Sequence, residues 1–352
     1  MIKRSLLSEL KDHLKKPEIS LIVGPRQSGK TTVMRMLQKY LESQGTPTLF
    51  LNYDIESDRP FFQSQQSLLQ KAQLELGGSS ESSGPQRSRE SNGLQRSGES
   101  NEMPKTEESR DSRPWKESSG IQPVGEQSKA GNLKKSDESN EAQKLKGSNT
   151  RGVLFLDEIQ RKENAGLFLK GLYDLDIPYK LVVSGSGSLE LKENIHESLA
   201  GRKRLFQLDT LSFAEFVNYK TDYRYENRLK EYLTTHKDSR QVLLAEYMSF
   251  GGYPRVVLAE TLEEKYSEMN EIYRSWLERD IAYLGVKKTE AFGQMIQLLA
   301  DQPGQVINYS SLCSALNISL PTLKNYLWYA QKTFIIEKLT PFHRSSKREI
   351  VK

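Results

Sequence analysis

Residues 24–32 have the sequence Gly-Pro-Arg-Gln-Ser-Gly-Lys-Thr-Thr. Glycine, four residues, then Gly-Lys-Thr is the pattern of a phosphate-binding loop. The mainly apolar residues 19–23 before it are typical of a buried strand, and residues 32–41 after it carry apolar side chains at helical spacing. A strand, a glycine-rich turn and a helix N-terminus together present backbone N–H groups to an anion. The stretch therefore predicts a nucleotide site; a chance match within a turn is the alternative.

The residue types in this loop have distinct expected roles. Lys30 would reach the β- and γ-phosphates of ATP, and the Thr31 hydroxyl would hold Mg²⁺. The glycines let the backbone approach the phosphates closely. The predicted nucleotide contacts are Gly24, Pro25, Arg26, Gln27, Ser28, Gly29, Lys30, Thr31 and Thr32.

A second apolar run, residues 153–156, ends in Asp157-Glu158. Wholly apolar runs are typical of parallel strands buried on both faces, and ligands bind at the carboxyl ends of such strands. We expect Asp157 to hold Mg²⁺ and Glu158 to act as the general base on the attacking water. A phosphotransferase has no need of that base, because its nucleophile is the acceptor substrate. A solvated strand end followed by a helix cap is the alternative interpretation of the pair.

A third strand is predicted over residues 179–183 and is followed by alternating serine and glycine. A polar side chain at this strand end could lie between Glu158 and the γ-phosphate and sense its loss. Ser184 is the first candidate for this sensor and Ser186 the second. A Ser/Gly turn without such a role is an equal alternative.

Composition sets broad limits on the class of protein. The chain has 352 residues, enough for two or three domains, and a formal net charge of +5, which does not by itself require nucleic acid. A single cysteine, Cys313, excludes an internal disulfide and favours the cytoplasm weakly. The sequence contains no run of 18 or more apolar residues, so we expect no membrane-spanning helix.

The chain changes character along its length. We expect an ATPase domain over residues 1–210, interrupted at 77–150 by a disordered low-complexity insertion that has too few apolar residues for a core. Helical patterns predict a second domain over 211–288. A third, winged-helix-like domain is expected over 289–344, followed by a tail over 345–352.

The winged-helix prediction rests on helices over 309–315 and 320–331 and a strand over 334–339. A DNA reader would expose side chains from the second helix, namely Thr322, Lys324, Asn325 and Tyr326. The aromatic run in this helix favours packing over base contacts, so the sequence leaves open whether this module binds DNA.

As a set, these motifs resemble the prokaryotic AAA-type ATPases with a DUF4143 C-terminal domain, which are similar to STAND-class and archaeal ATPases. The matching segments are residues 24–32, 156–160, 201–202, 211–216, 251–254 and 279–280. The resemblance implies an α/β P-loop NTPase fold with a parallel sheet, followed by an all-helical domain and a winged helix. Two features of this chain depart from the family. One is the serine-rich insertion. The other is that the sequence stops near the point where the family continues into a further domain, as a truncated copy would.

The resemblance also implies roles for two residues outside the strand ends. Pro254, in a Gly-x-Pro motif, would approach the adenine from the helical domain. Arg202 would sense the γ-phosphate or a neighbouring subunit of a homo-oligomer; a basic surface residue beside Lys203 and Arg204 is the alternative.

The expected function is Mg²⁺-dependent ATP hydrolysis that drives a conformational switch. The first rival is a winged-helix DNA-binding regulator in which ATP only gates binding, and strongly salt-dependent affinity for duplex DNA would favour it. The second rival is a phosphotransferase, which would turn over ATP only with an acceptor present.

Deleting residues 77–150, with a short Gly/Ser link in their place, should leave the fold and ATP binding intact, because the segment has no core of its own. Limited proteolysis of the intact protein should cut first within this stretch. A protease-resistant segment, or loss of nucleotide binding on deletion, would contradict the prediction.

Overall fold

The computed structural model describes residues 2–77, 151–186, 198–281 and 288–339, without the side chains of Ser186 and residues 279–281. The predicted insertion beyond Gly77 and the tail over 345–352 lie outside the described residues.

A parallel five-stranded sheet forms the first part of the molecule, with the strand order β2-β3-β4-β1-β5. The strands are β1 (Ile19–Gly24), β2 (Thr48–Asn52), β3 (Gly152–Asp157), β4 (Tyr179–Ser186) and β5 (Lys203–Gln207). The predicted α/β fold with a parallel sheet is therefore confirmed. In this order β4 lies between the strand before the glycine-rich loop and the strand that ends in Asp157, so the loop, Ser184 and Asp157 lie at the carboxyl ends of three adjacent strands.

Helices cover both faces of the sheet. Helices α1 (Leu6–His13) and α2 (Lys30–Ser43) pack on one face, and α3 (Gln65–Leu76) and α4 (Ala165–Asp174) on the other. Alternate residues of each strand point to opposite faces, which is why the central strands consist mainly of apolar residues. Both β1 and β3 are buried over their whole lengths.

Sequence patterns did not indicate β5. Lys203 and Arg204, for which the sequence predicted no strand, pair with Ile19 and Ser20 of β1. This strand lies at the edge of the sheet, and only Phe206 is buried along it. A half-exposed edge strand carries polar residues on its solvent side, so it lacks the apolar run by which a buried strand is recognised in a sequence.

The rest of the described chain is helical. The helices are α5 (Phe213–Lys220), α6 (Leu229–Thr235), α7 (Lys237–Phe250), α8 (Pro254–Leu258), α9 (Leu262–Ser275), α10 (Thr289–Ala300), α11 (Tyr309–Leu316) and α12 (Leu320–Lys332). A π-helix over Trp276–Ile281 follows α9, and short 3-10 turns occupy Arg59–Phe62, Ile159–Arg161 and Glu226–Arg228. The break predicted at residues 250–254 is present: Gly251 has a φ of 72°, and Pro254 starts α8.

The two helices of the predicted winged helix are in place as α11 and α12. The predicted strand over 334–339 is wrong, since α12 is followed by a turn in which Phe334 has a φ of 63°, and no strand follows in the described residues up to 339. The backbone turns back because Ile335 and Ile336 donate N–H groups to Ala330 O and pack on the apolar cluster around α12. The winged-helix assignment stays a prediction.

Across the described ranges, none of the helices combines the length and apolar composition needed to cross a bilayer.

A buried histidine lies at the end of the sheet opposite the loop. His13 is 5% exposed; its Nδ1 atom lies 2.8 Å from Ser20 Oγ and 3.4 Å from the ammonium of Lys180. Burial and the charge on Lys180 lower the pKa of His13 from 6.5 to about 4. The folded protein therefore holds the neutral ring.

We predict that the free energy of unfolding falls as the pH drops from 6.5 to about 4, because the unfolded chain protonates His13 there and the folded chain does not. His13→Asn keeps a polar atom near Ser20 but does not titrate, so its profile should be flatter in this window. Urea unfolding across the window measures both profiles, and their difference removes the contribution of the carboxyl groups. Parallel profiles for the two proteins would contradict the assignment.

Candidate functional site

The glycine-rich loop lies at the carboxyl edge of the sheet. Gly24 ends β1 and α2 begins at Lys30, after Gly29, whose φ of 95° disfavours any residue with a Cβ. No side chain among the described residues caps the N-terminus of α2. Within the same ranges, the buried Gln27 Oε1 and Ser28 Oγ have no hydrogen-bond partner. The loop therefore combines an uncapped helix N-terminus with a hydroxyl, Ser28 Oγ, that is able to donate a hydrogen bond, as expected for an anion site.

The Lys30 side chain folds back across this loop. Its Nζ atom donates to Gly24 O at 3.1 Å and to Pro25 O at 2.7 Å, and the residue is 5% exposed. The ammonium therefore lies within the loop, next to the helix N-terminus that would receive a phosphate.

Three side chains converge on the carboxylate of Asp157, which is fully buried at the end of β3. Thr31 Oγ1 donates to Oδ2 at 2.7 Å, Asn52 Nδ2 donates to the same oxygen at 3.0 Å, and Ser184 Oγ donates to Oδ1. These donors come from the first turn of α2 and the ends of β2 and β4. The sheet register brings them together, since Asn52 pairs with Asp157 across β2 and β3.

Glu158 follows in a left-handed conformation, with a φ of 57°. Burial and the neighbouring Asp157 carboxylate raise the pKa of Glu158, while a hydrogen bond from Gln160 and the charge on Lys30 oppose the rise. Gln160 Nε2 donates to Glu158 Oε2 and fixes its orientation. A half-buried carboxylate with a raised pKa is better suited to accept a proton than an exposed one.

The two serine candidates differ in what they contact. The hydroxyl of Ser184 is fully buried and bonds to Asp157, and the Glu158 N–H lies 3.4 Å from Ser184 Oγ. Ser184 therefore positions the Asp157 carboxylate, and its role as a γ-phosphate sensor stays a prediction. Ser186 pairs with Gly24 through the backbone, and its side chain is outside the described part of the structure.

Arg202 directly precedes β5 and lies at the amino ends of the strands, opposite the glycine-rich loop. Its carbonyl accepts from the N–H of Ile19 at the start of β1, and its side chain pairs with Asp174 at 2.7 Å. The length of β1, about 17 Å, separates it from the loop. The expectation that Arg202 senses the γ-phosphate of its own chain is therefore wrong, and contact with a neighbouring subunit stays a prediction.

Pro254 lies beside the loop. A Cβ built on Gly29 would be 3.9 Å from Pro254 Cγ, so α8 of the helical region reaches the glycine-rich loop itself. Contact with the adenine stays a prediction.

Sequence reasoning missed Asn52, Arg4 and Gln160, which orients Glu158. Asn52 ends β2 as Asp157 ends β3, and its polar side chain after an apolar strand was the available signal. Arg4, whose Nη1 donates to Ser28 O at 2.8 Å, is distant in sequence and gave no signal.

The candidate DNA-reading helix is only partly exposed. Lys324 and Asn325 are exposed and Thr322 is partly buried, but Tyr326 is 5% exposed and packs edge-on against Phe292. Tyr326 is therefore a core residue, which agrees with the packing interpretation. Binding of duplex DNA stays a prediction.

The parallel sheet, the loop after β1 and the carboxylate after β3 define the fold as that of a P-loop nucleotide-binding protein. Residues 125–217 match a family model described as an AAA domain, and residues 241–352 match a domain of unknown function, DUF8612. The expected DUF4143 domain is not confirmed.

The chain is similar to MJ1544 of Methanocaldococcus jannaschii, with 29% identity over 220 residues that cover 60% of this chain and 48% of that protein. It is also similar to a protein of Haemophilus influenzae, with 30% identity over 208 residues, 56% of this chain and 47% of the relative. Both relatives carry the description "uncharacterized protein". The chain spans about half the length of these relatives.

Among solved structures, the Orc1 protein of Aeropyrum pernix in complex with DNA is similar at a TM-score of 0.33 and 14% identity, covering 99% of this chain and 87% of that chain.

Proposed function

We propose that this chain binds ATP with Mg²⁺ and hydrolyses it. The observation that carries the proposal is the convergence of Thr31, Asn52 and Ser184 on the buried carboxylate of Asp157, directly beside the glycine-rich loop. A buried carboxylate that also contacts the first turn of a phosphate-binding helix has a clear use in holding a metal–phosphate complex. The match to an AAA domain model supports the same class of activity.

The loop and its lysine would bind the phosphates. The N–H groups at the start of α2 favour negative charge, and the Lys30 ammonium adds a full positive charge beside them. Because Lys30 Nζ contacts Gly24 O and Pro25 O in this structure, nucleotide binding would exchange those two carbonyls for phosphate oxygens.

The oxygen ligands near the loop fit Mg²⁺. Thr31 Oγ1 and Asp157 Oδ2 are 2.7 Å apart, and both are hard oxygen ligands. The described residues contain no group of three or more His, Cys, Asp or Glu side chains that could enclose a metal ion. That fits Mg²⁺, which is commonly held by one or two protein ligands, substrate phosphates and water. When bound, the ion would neutralise charge that develops on the phosphates.

Glu158 would act on the attacking water. The water oxygen forms a bond to the γ-phosphorus while the bond to the β–γ bridging oxygen breaks, and the water proton passes to the Glu158 carboxylate. Gln160 orients that carboxylate, and Ser184 orients Asp157 beside it. A phosphotransferase would have no need of this base.

Hydrolysis would drive a conformational switch in the helical region. Pro254, at the start of α8, lies against Gly29 of the loop, so loss of the γ-phosphate can be transmitted to that helix. Arg202 lies at the amino ends of the strands, away from the loop of its own chain, and would act on the nucleotide of a neighbouring copy in a homo-oligomer.

We predict that Lys30→Ala weakens ATP affinity roughly a hundredfold, because it removes the charge-assisted contact with the phosphates. Isothermal titration calorimetry with Mg²⁺ and ATP measures the loss. Lys39→Ala is the matched control, since Lys39 lies on the same helix and is exposed. Near-wild-type affinity of Lys30→Ala would place the nucleotide elsewhere.

We predict that Glu158→Gln keeps ATP affinity and lowers kcat roughly a hundredfold or more, because the amide preserves shape and cannot accept the proton. Phosphate release measures kcat, and Glu163→Gln, an exposed carboxylate nearby, is the control. Unchanged turnover would reduce Glu158 to a capping residue. Turnover that requires an added acceptor would favour a phosphotransferase, and turnover that requires duplex DNA would favour the DNA-binding rival.

A further inference from the structure

A buried arginine near the N-terminus bridges parts of the chain that are far apart in sequence. Arg4 is 9% exposed. Its Nη1 donates to Ser28 O at 2.8 Å, and its Nη2 donates to Asp209 O at 2.7 Å and Thr210 O at 3.3 Å. Its Nε lies 3.3 Å from Glu215 Oε1. One guanidinium thus contacts the phosphate-binding loop, the segment after β5 and the first turn of α5.

The contact with the loop constrains one particular peptide group. In a trans peptide the C=O and the following N–H point in opposite directions. Holding Ser28 O against Arg4 therefore turns the Gly29 N–H away from Arg4. Gly29 is the N-cap of α2, so the contact sets the orientation of an N–H group at the helix end that would bind phosphate.

The same loop is connected to the helical region by a second route. A Cβ built on Gly24 would lie 2.0 Å from Leu208 O, and Leu208 N donates to Val23 O at 2.8 Å. Three residues further, Leu211 N donates to Gly252 O at 2.7 Å. Pro254, two residues beyond Gly252, returns to the loop beside Gly29. These contacts therefore join three segments into a closed ring: the loop, residues 208–211 and residues 252–254. Arg4 donates hydrogen bonds to the first two of these segments.

Glu215 fixes Arg4 from the side of the helical region. Its Oε1 accepts from Ser5 N at 2.8 Å and Ser5 Oγ at 2.9 Å, and its Oε2 accepts from Ser212 N at 3.0 Å. Burial would raise the pKa of Glu215, but these hydrogen bonds and the charge on Arg4 outweigh burial and lower it. The carboxylate is thus held ionised as the partner of Arg4 and as part of the α5 capping box.

We propose that Arg4 is a positioning residue that couples the phosphate-binding loop to the helical region, so that nucleotide binding and the placement of residues 252–254 are a single event. The guanidinium acts through the Ser28 carbonyl and the carbonyls of residues 209 and 210, and it does not touch the phosphate. A lysine cannot reproduce this, because its ammonium lacks the planar fork that reaches several carbonyls at once. The nucleotide part of this inference rests on the proposed function.

The first experiment measures binding of ADP with Mg²⁺ by calorimetry in four folded variants: Arg4→Gln, Arg4→Lys, Glu215→Gln and Lys3→Gln. Lys3 is the matched control, because its ion pair with Glu226 is 2.7 Å long and exposed. We expect affinity to fall roughly tenfold in both Arg4 variants and less in Glu215→Gln, with no change in Lys3→Gln. Wild-type affinity in Arg4→Gln, or full rescue by Arg4→Lys, would overturn the proposal.

The second experiment needs no nucleotide and separates this inference from the proposed function. Amide hydrogen exchange of the nucleotide-free protein should accelerate in Arg4→Gln at both the loop, residues 24–30, and residues 250–258, and at neither in Lys3→Gln. If Arg4→Gln does not fold, Glu215→Gln should show the same paired change to a smaller extent. Faster exchange at only one of the two segments, or at neither, would overturn the coupling even if the wild type binds no ADP. Failure of the wild type to bind ADP, with the paired exchange intact, would overturn the proposed function alone.

Discussion

The buried carboxylate of Asp157 is the constraint on which the candidate site depends. A wholly buried carboxylate is strongly destabilising unless hydrogen bonds replace the water that it loses. Here the hydroxyls of Thr31 and Ser184 and the amide of Asn52 supply those bonds. Each donor sits at a fixed position because β2, β3 and β4 end, and α2 begins, at the same edge of the sheet. The sheet order therefore determines which side chains can reach the Asp157 carboxylate.

Much of this arrangement could be predicted from the sequence, for a physical reason. Strands β1 and β3 are buried on both faces and so are mainly apolar, and the loop between β1 and α2 has a pattern that few other structures require. The edge strand β5 could not be found this way, because Arg204 and Leu205 are exposed along it. The partner of Ser184 was not predictable either, since it depends on the register between β3 and β4.

Contacts that join distant parts of the chain were the other limit. Arg4 and Ser28 are brought together only when the N-terminal segment packs beside α2, and no local pattern marks that contact. In the C-terminal part, helical spacing predicted α11 and α12 but could not show which face of α12 is buried, so Tyr326 remained ambiguous until its packing on Phe292 was known.

A crystal structure with Mg²⁺ and a non-hydrolysable ATP analogue tests the central claim most directly. The account predicts phosphates at the N-terminus of α2, with Lys30 Nζ moved from the carbonyls of Gly24 and Pro25 onto phosphate oxygens. It also predicts that Mg²⁺ lies between Thr31 and Asp157 in place of their direct hydrogen bond. An analogue bound elsewhere, or bound at the loop with the Thr31–Asp157 hydrogen bond intact and no metal beside it, would contradict the account.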